Sequence, residues 1–82
     1  MIKAIYLYKG KMVQTMENFG RRIKKLREER KLTQQQLAKE LNIDKSTVAK
    51  YEMNSISPSC QMLIIFAKYF SVSTDYLLGL ED

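Results

Sequence analysis

Histidine is absent from the 82-residue chain, and cysteine occurs once, at Cys60. A single cysteine cannot form a disulfide within the chain. Without histidine, the chain also lacks the usual ligands of a zinc site and the Cys–His and Ser–His pairs of nucleophilic catalysis. We therefore predict that the chain binds no metal or other cofactor and is not an enzyme.

Long apolar runs and glycine-rich loops are missing too. The longest apolar run, residues 62–67, is far too short to span a bilayer, and residues 1–16 lack the continuous apolar core of a secretory signal. No glycine-rich loop of the kind that cradles a phosphate is present. These absences predict a cytoplasmic protein that makes no contact with a membrane.

Positive charge is concentrated in one stretch of the chain. The formal net charge is +5, and residues 21–31, with seven cations and two anions, account for all of it. A concentrated positive field suits a polyanion such as nucleic acid. A solvated helix face with glutamate–arginine pairs explains the same composition, so charge alone leaves both interpretations open.

Hydrophobic periodicity predicts an all-α fold in which residues 17–82 form one small domain of five helices. The predicted helices span residues 17–31, 34–41, 45–53, 60–70 and 74–78. Asn18 or Glu17 is expected to cap the first helix. Residues 1–16 alternate poorly between apolar and polar, so we expect an N-terminal extension that is either disordered or a short strand paired with a second copy of the chain.

Caps and turns support the three central helix boundaries. Thr33 and Gln36 have the spacing of a capping box, Asn42 suits a left-handed turn, and Asp44 and Ser59 are expected to cap the next two helices. Ser73 is expected to cap the last helix, which Gly79 ends. The predicted core comprises Phe19, Ile23, Leu26, Leu37, Ala38, Leu41, Ile43, Val48, Tyr51, Cys60, Leu63, Ile64, Phe66, Ala67 and Phe70.

Residues 32–52 are the most informative stretch, because they predict two short helices joined by a tight turn. In a helix-turn-helix unit the first helix crosses the DNA backbone and the second enters the major groove. The second helix carries ammonium and hydroxyl groups that can bond base edges. Its predicted base-contacting residues are Lys45, Ser46, Thr47 and Lys50. The alternative is that its lysines are ordinary surface cations.

A second group of residues is predicted to contact the DNA backbone. Thr33 lies at the start of a helix, where free N–H groups and the helix dipole favour a phosphate oxygen. Arg21 and Lys24 add positive charge, and Asn54 and Ser55 offer hydrogen-bond donors after the second helix of the unit.

Residues 17–80 resemble the lambda-repressor-like helix-turn-helix family, the Cro and phage-repressor (XRE) type of bacterial regulator. The matching segments are KLREERKLTQQQLA at 25–38, LNIDKSTVAKYE at 41–52, PS at 58–59 and FSVSTDYLLG at 70–79. They occur in the family's order and spacing. The family usually has glycine at position 42 and often near position 54, where this chain has asparagine.

The resemblance implies a compact five-helix domain that binds double-stranded DNA sequence-specifically and regulates transcription. It further implies a repressor acting on a palindromic operator, in a bacterial, phage or plasmid context. By the same resemblance, Gln34 reaches a base edge, and Arg27 and Glu52 form an ion pair that links the first helix to the end of the third.

A second apolar stripe on the fourth helix predicts a homodimer. Such a stripe is typical of an interface, and a two-fold dimer would place two recognition helices about 34–36 Å apart, one turn of DNA. The predicted interface residues are Met62, Ile65, Tyr69, Tyr76 and Leu80. Alternatively, the stripe is part of a broader core closed by the N-terminal extension.

Other functions fit the same residues. An antitoxin would use the stripe or the extension to grip a toxin, and a restriction–modification controller has a similar size. An anti-repressor is another conceivable protein partner. A protein-interaction module that does not bind DNA is the alternative from a different class.

Overall fold

The computed structural model describes the backbone of residues 5–8 and 11–81 and the side chains of residues 18–81. Five helices follow two short strands. The elements are β1 (Ile5–Tyr8), β2 (Lys11–Gln14), α1 (Thr15–Glu29), α2 (Gln34–Leu41), α3 (Lys45–Glu52), α4 (Cys60–Phe70) and α5 (Thr74–Leu77). The five predicted helices are therefore confirmed, with ends that differ by a few residues. In this described part of the chain, no helix has the length and apolar character that a bilayer span requires.

The N-terminal segment differs from the prediction. Strands β1 and β2 pair with each other in an antiparallel hairpin, with Ile5 opposite Gln14, whereas the sequence predicts either disorder or one short strand. Helix α1 begins at Thr15, directly after β2, and not at residue 17. The expected cap Asn18 thus lies inside the helix, where its Oδ1 accepts a hydrogen bond from Arg21 Nη2 at 2.5 Å. The domain boundary near residue 16 stays a prediction.

The five helices all end in the same hydrogen-bonding motif. After α2, for example, Asn42 N–H donates to Lys39 O at 3.2 Å and Ile43 N–H donates to Ala38 O at 2.9 Å. This Schellman motif needs one residue in the left-handed region, where glycine is favoured. The residues in that position are Lys31, Asn42, Asn54, Ser71 and Gly79. Only Gly79 lacks a Cβ atom among these five residues. Lys31, Asn42, Asn54 and Ser71 adopt the left-handed conformation at a steric cost.

Substituting glycine for Ser71 is expected to stabilise the protein. Ser71 ends α4 with φ 56°. Relief of a left-handed Cβ clash exceeds the entropic cost of glycine by about 0.5–1 kcal/mol. Urea unfolding of Ser71→Gly should give that increase in the free energy of unfolding. Ser71→Ala is the matched control and should give no gain, and equal effects of the two variants would contradict the argument.

An aromatic cluster lies at the centre of the core. Phe19 of α1, Tyr51 of α3 and Phe66 of α4 pack edge to face, with ring centroids 5.6–5.8 Å apart. The buried residues are Phe19, Ile23, Leu37, Ala38, Val48, Tyr51, Phe66, Ala67, Phe70 and Leu77. All of them except Leu77 are predicted core residues. The predicted core residues Leu26, Leu41, Ile43 and Leu63 are partly buried and pack against this cluster. The cluster therefore fixes the back of α3 to two other helices.

The core prediction is wrong for two residues of α4. Cys60 is exposed, and the side chain of Ile64 is 47% exposed. The buried face of α4 is formed by Phe66, Ala67 and Phe70. Ile64 precedes Phe66 by two residues, which turns it about 200° away around the helix axis.

Candidate nucleic-acid interface

Helix α3 presents a polar face to solvent and an apolar face to the core. Lys45, Ser46 and Lys50 are exposed, and Thr47 is partly buried. On the opposite side, Val48 and Tyr51 are buried in the core. Four of the five predicted base-contacting residues thus lie on α3, and three of these four are exposed, while Gln34 lies on α2.

The start of α3 is set by the backbone more than by a capping side chain. Asp44 lies at the N-cap position, but its carboxylate makes no capping hydrogen bond, so that part of the prediction is wrong. Its carbonyl oxygen instead accepts from Thr47 and Val48 N–H at 3.0 and 3.2 Å. The turn before it places Asn42 in the left-handed region at φ 57°, as the sequence predicts.

The N-terminus of α2 carries the predicted capping box. Thr33 Oγ1 accepts from Gln36 N–H at 3.0 Å, and Gln36 Oε1 accepts from Thr33 N–H at 2.8 Å. The N–H groups of Gln34 and Gln35 lie in the first turn of α2, where the helix offers them no carbonyl acceptor. They are therefore available to an anion at the positive end of the helix dipole.

A hydrogen-bonded network joins α1, α2 and α3 behind this surface. Arg27 donates to Glu52 through Nε at 2.6 Å and through Nη2 at 3.0 Å. Arg27 Nη1 also donates to Leu32 O at 2.8 Å, and Gln34 Nε2 donates to Glu52 Oε1 at 3.0 Å. The network contains the ion pair that the resemblance implies, and it places Gln34 against Glu52.

The ion pair is shielded from water. The side chains of Arg27 and Glu52 are 11% and 3% exposed. Hydrogen bonding to the Glu52 carboxylate raises the pKa of the Arg27 guanidinium above its ordinary value, against the opposing effect of burial. Arg27 therefore remains charged, and its role is to hold α3 in place.

The loop after α3 approaches α1 closely. Asn54 adopts φ 61°, and its Oδ1 is buried without a hydrogen-bond partner. An added Cβ at Gly20 of α1 would meet Asn54 Oδ1 and the carbonyl oxygens of Tyr51 and Glu52. Ser55, the second predicted phosphate donor of this loop, is exposed.

The cations of α1 fall into two groups that the sequence did not separate. Arg21, Lys24 and Lys25 are exposed. Arg22, by contrast, donates to the carbonyl oxygens of Tyr76 at 2.6 Å and Glu81 at 2.5 Å.

Arg30 belongs to the second group as well. It donates to Tyr69 O at 3.1 Å and lies over the rings of Tyr69 and Phe70, 5.3 and 5.1 Å from their centroids. Arg22, Arg27 and Arg30 thus connect α1 to other parts of the fold. Arg21, Lys24 and Lys25 make no such contact within residues 18–81 and are the cations of α1 that can attract a polyanion.

The predicted dimer stripe is partly occupied by its own chain. Met62, Tyr69 and Tyr76 pack against the core, and Arg22 stacks on the Tyr76 ring at 4.3 Å. Ile65 and Leu80 are partly buried. The homodimer stays a prediction.

No group of three or more Cys, Asp or Glu side chains among residues 18–81 is arranged to hold a metal ion. The geometry offers hydrogen-bond donors and positive charge on an exposed helix. Such a surface can bind a polyanion and read base edges.

Comparison with known proteins identifies the family. Residues 23–77 match the HTH_3 model, described as helix-turn-helix. The chain is 44% identical over 64 residues to the uncharacterized HTH-type transcriptional regulator YobD of Bacillus subtilis, covering 78% of this chain and 57% of YobD. It is 39% identical over 62 residues to the immunity repressor protein of Bacillus phage phi105, covering 76% of this chain and 43% of the repressor.

A solved structure shares the fold. The P22 c2 repressor protein, crystallised with synthetic operator 9T in the presence of Tl+, superposes with a TM-score of 0.71 at 27% identity, covering 77% of this chain and 96% of that one. The chain spans about half the length of the curated relatives it matches. The relatives are named as regulators or repressors and not as enzymes. From the match to residues 23–77 and the level of identity, the chain belongs to the HTH_3 family of helix-turn-helix proteins.

Proposed function

We propose that the chain binds double-stranded DNA sequence-specifically and represses transcription by occupying a promoter. One observation carries the proposal: α3 exposes Lys45, Ser46 and Lys50 while its opposite face is fixed in the core. A rigid helix with donors on its free face is the element that direct readout in the major groove requires. The relatives named as transcriptional regulators support the same function.

In the proposed complex, α3 lies in the major groove and its N-terminal half contacts base edges. The first turn of α2 directs N–H groups and the Thr33 hydroxyl at a phosphate. Arg21 and Lys24 on α1, with Ser55 after α3, add contacts to the DNA backbone. Backbone contacts set affinity and register, and the contacts of α3 set sequence preference.

We further propose that two copies bind a palindromic site. A single α3 reads few base pairs, and a two-fold dimer doubles the sequence read by placing the helices about 34–36 Å apart. Ile65 and Leu80 are partly buried and have no assigned function in the single chain. They remain candidates for the contact between copies.

Selection of bound duplexes from a random pool tests the proposed function. The proposal predicts one enriched motif with two-fold symmetry, and affinity for it that falls steeply with added salt because counterions are released. An enriched motif without symmetry would support DNA binding and contradict the dimer. Absence of any enriched motif would contradict the proposal and favour a protein-interaction module.

Alanine substitutions should separate base readout from backbone attraction. Lys45→Ala and Ser46→Ala are each expected to weaken the selected site by about 1–3 kcal/mol and to relax preference at particular base pairs. Lys24→Ala should weaken all sequences about equally and lower the salt slope by about one. Affinities of the three variant proteins for single-base variants of the site distinguish base contacts from backbone contacts. Uniform losses for all three proteins would contradict the assignment of Lys45 and Ser46 to base contacts.

A further inference from the structure

The side chain of Gln34 joins the two helices of the helix-turn-helix unit at their free ends. Its Nε2 donates to Glu52 Oε1 at 3.0 Å, and Glu52 is 3% exposed. Gln34 is the first residue of α2 and Glu52 is the last residue of α3. The Asn42 turn connects the other two ends of the same helices, so the pair is attached at both ends.

The Glu52 carboxylate is the shared acceptor of this arrangement. Arg27 occupies both of its oxygens, at 2.6 and 3.0 Å, which anchors the carboxylate to α1. Gln34 therefore bonds to a group that cannot rotate freely. A neutral amide donating to a charged, buried acceptor forms one of the stronger classes of hydrogen bond.

We infer that Gln34 is a positioning residue that fixes the angle between α2 and α3, and that it does not read a base. The inference rests on the proposed function, because that angle sets the distance between the phosphate at the start of α2 and the bases beneath α3. Core packing of α2 and α3 and the turn at Asn42 restrict the angle, and the hydrogen bond at the far ends of the two helices restricts it further. The Gln34 side chain is partly buried, and one of the two N–H groups of its amide is committed to Glu52.

Gln34→Met tests this role with a side chain of similar length that cannot donate a hydrogen bond. We expect affinity for the selected site to fall about tenfold, in line with the coupling energies of contacting residues. The loss should be the same for every single-base variant of the site. Gln61→Met, the same exchange at an exposed position of α4, is the matched control and should stay within about twofold. Loss of preference at one base pair, or unchanged affinity, would overturn the inference.

A double-mutant cycle separates positioning from a direct phosphate contact. Arg27→Met with Glu52→Met replaces the ion pair by apolar side chains, an exchange that proteins often tolerate. In that background Gln34→Met should change affinity less than about twofold, because its partner is gone. An undiminished loss would show that Gln34 acts on the DNA itself and would overturn the inference.

If that background does not bind the selected site, the side-chain N–H resonances of Gln34 in the wild-type complex replace it. They should keep the same chemical shifts in complexes with the selected site and with its single-base variants, because the bond to Glu52 involves no base. Shifts that change with one base pair would overturn the inference. All affinities are compared at a temperature where circular dichroism shows each variant folded. Failure of the wild-type chain to select any DNA would instead reject the proposed function.

Discussion

Glu52→Ala is expected to lower the free energy of unfolding by about 3–5 kcal/mol. The substitution leaves the Arg27 guanidinium, 11% exposed, without its carboxylate, and it also removes the acceptor of Gln34. Domains of this size are stable by about 4–12 kcal/mol in total. The variant should therefore be close to unfolding at 37 °C. Urea and thermal unfolding followed by circular dichroism measure the loss.

The double substitution Arg27→Met and Glu52→Met serves as the control. It removes both charges together, so no buried charge is left unpaired, and its stability should lie within about 1–2 kcal/mol of the wild type. If Glu52→Ala alone cost less than about 1 kcal/mol, the pair would be behaving as an exposed surface bridge. That result would contradict the role assigned to it in holding α3.

Gly20→Ala is expected to destabilise the protein although alanine favours helices. A Cβ atom at this position would lie 2.6 Å from Tyr51 O and 2.9 Å from Glu52 O. Backbone carbonyls at the end of α3 cannot swing aside, so α1 and α3 must separate. Such overpacking costs about 1–3 kcal/mol or more, which exceeds the helix-propensity gain of about 0.8–1 kcal/mol.

The same variant should also weaken DNA binding, because α3 moves relative to the scaffold. Urea unfolding and the affinity for the selected site measure the two effects. Lys25→Ala, an exposed change on the same helix, should stay within about 0.5 kcal/mol in stability. A Gly20→Ala protein as stable as the wild type would show that α1 and α3 are not in the close contact described.

The helix-turn-helix unit could be predicted from sequence because its signals are local. The spacing of Leu37, Ala38 and Val48 defines a buried face, and the Thr33–Gln36 capping box marks a helix start within four residues. Asn42 marks the turn because it tolerates a positive φ. None of these inferences requires knowledge of which distant residues come into contact.

Other features depend on tertiary contacts that local patterns do not contain. Arg21 and Arg22 are neighbours in sequence, yet one is exposed and the other caps the C-terminal segment. The hydrogen bond from Gln34 to Glu52 spans 18 positions in the chain. On α4, nearly every residue is hydrophobic, so the sequence does not define which side of the helix is buried. The prediction that Ile64 belongs to the core is wrong for that reason.

Gly20 is an intermediate case. An isolated glycine inside a helical pattern costs about 1 kcal/mol relative to alanine, so it often marks a packing requirement. That signal was present in the sequence. It gives no indication of which element packs against the glycine, and the structure supplies the answer in the last turn of α3.

The most direct test of the central claim is a nuclear magnetic resonance titration of the nitrogen-labelled chain with the selected duplex. The account predicts that the largest amide shifts occur in α3, from Lys45 to Lys50, and at the first turn of α2. Largest shifts on other elements, with those of α3 unchanged, would contradict the claim that α3 is the surface that reads DNA.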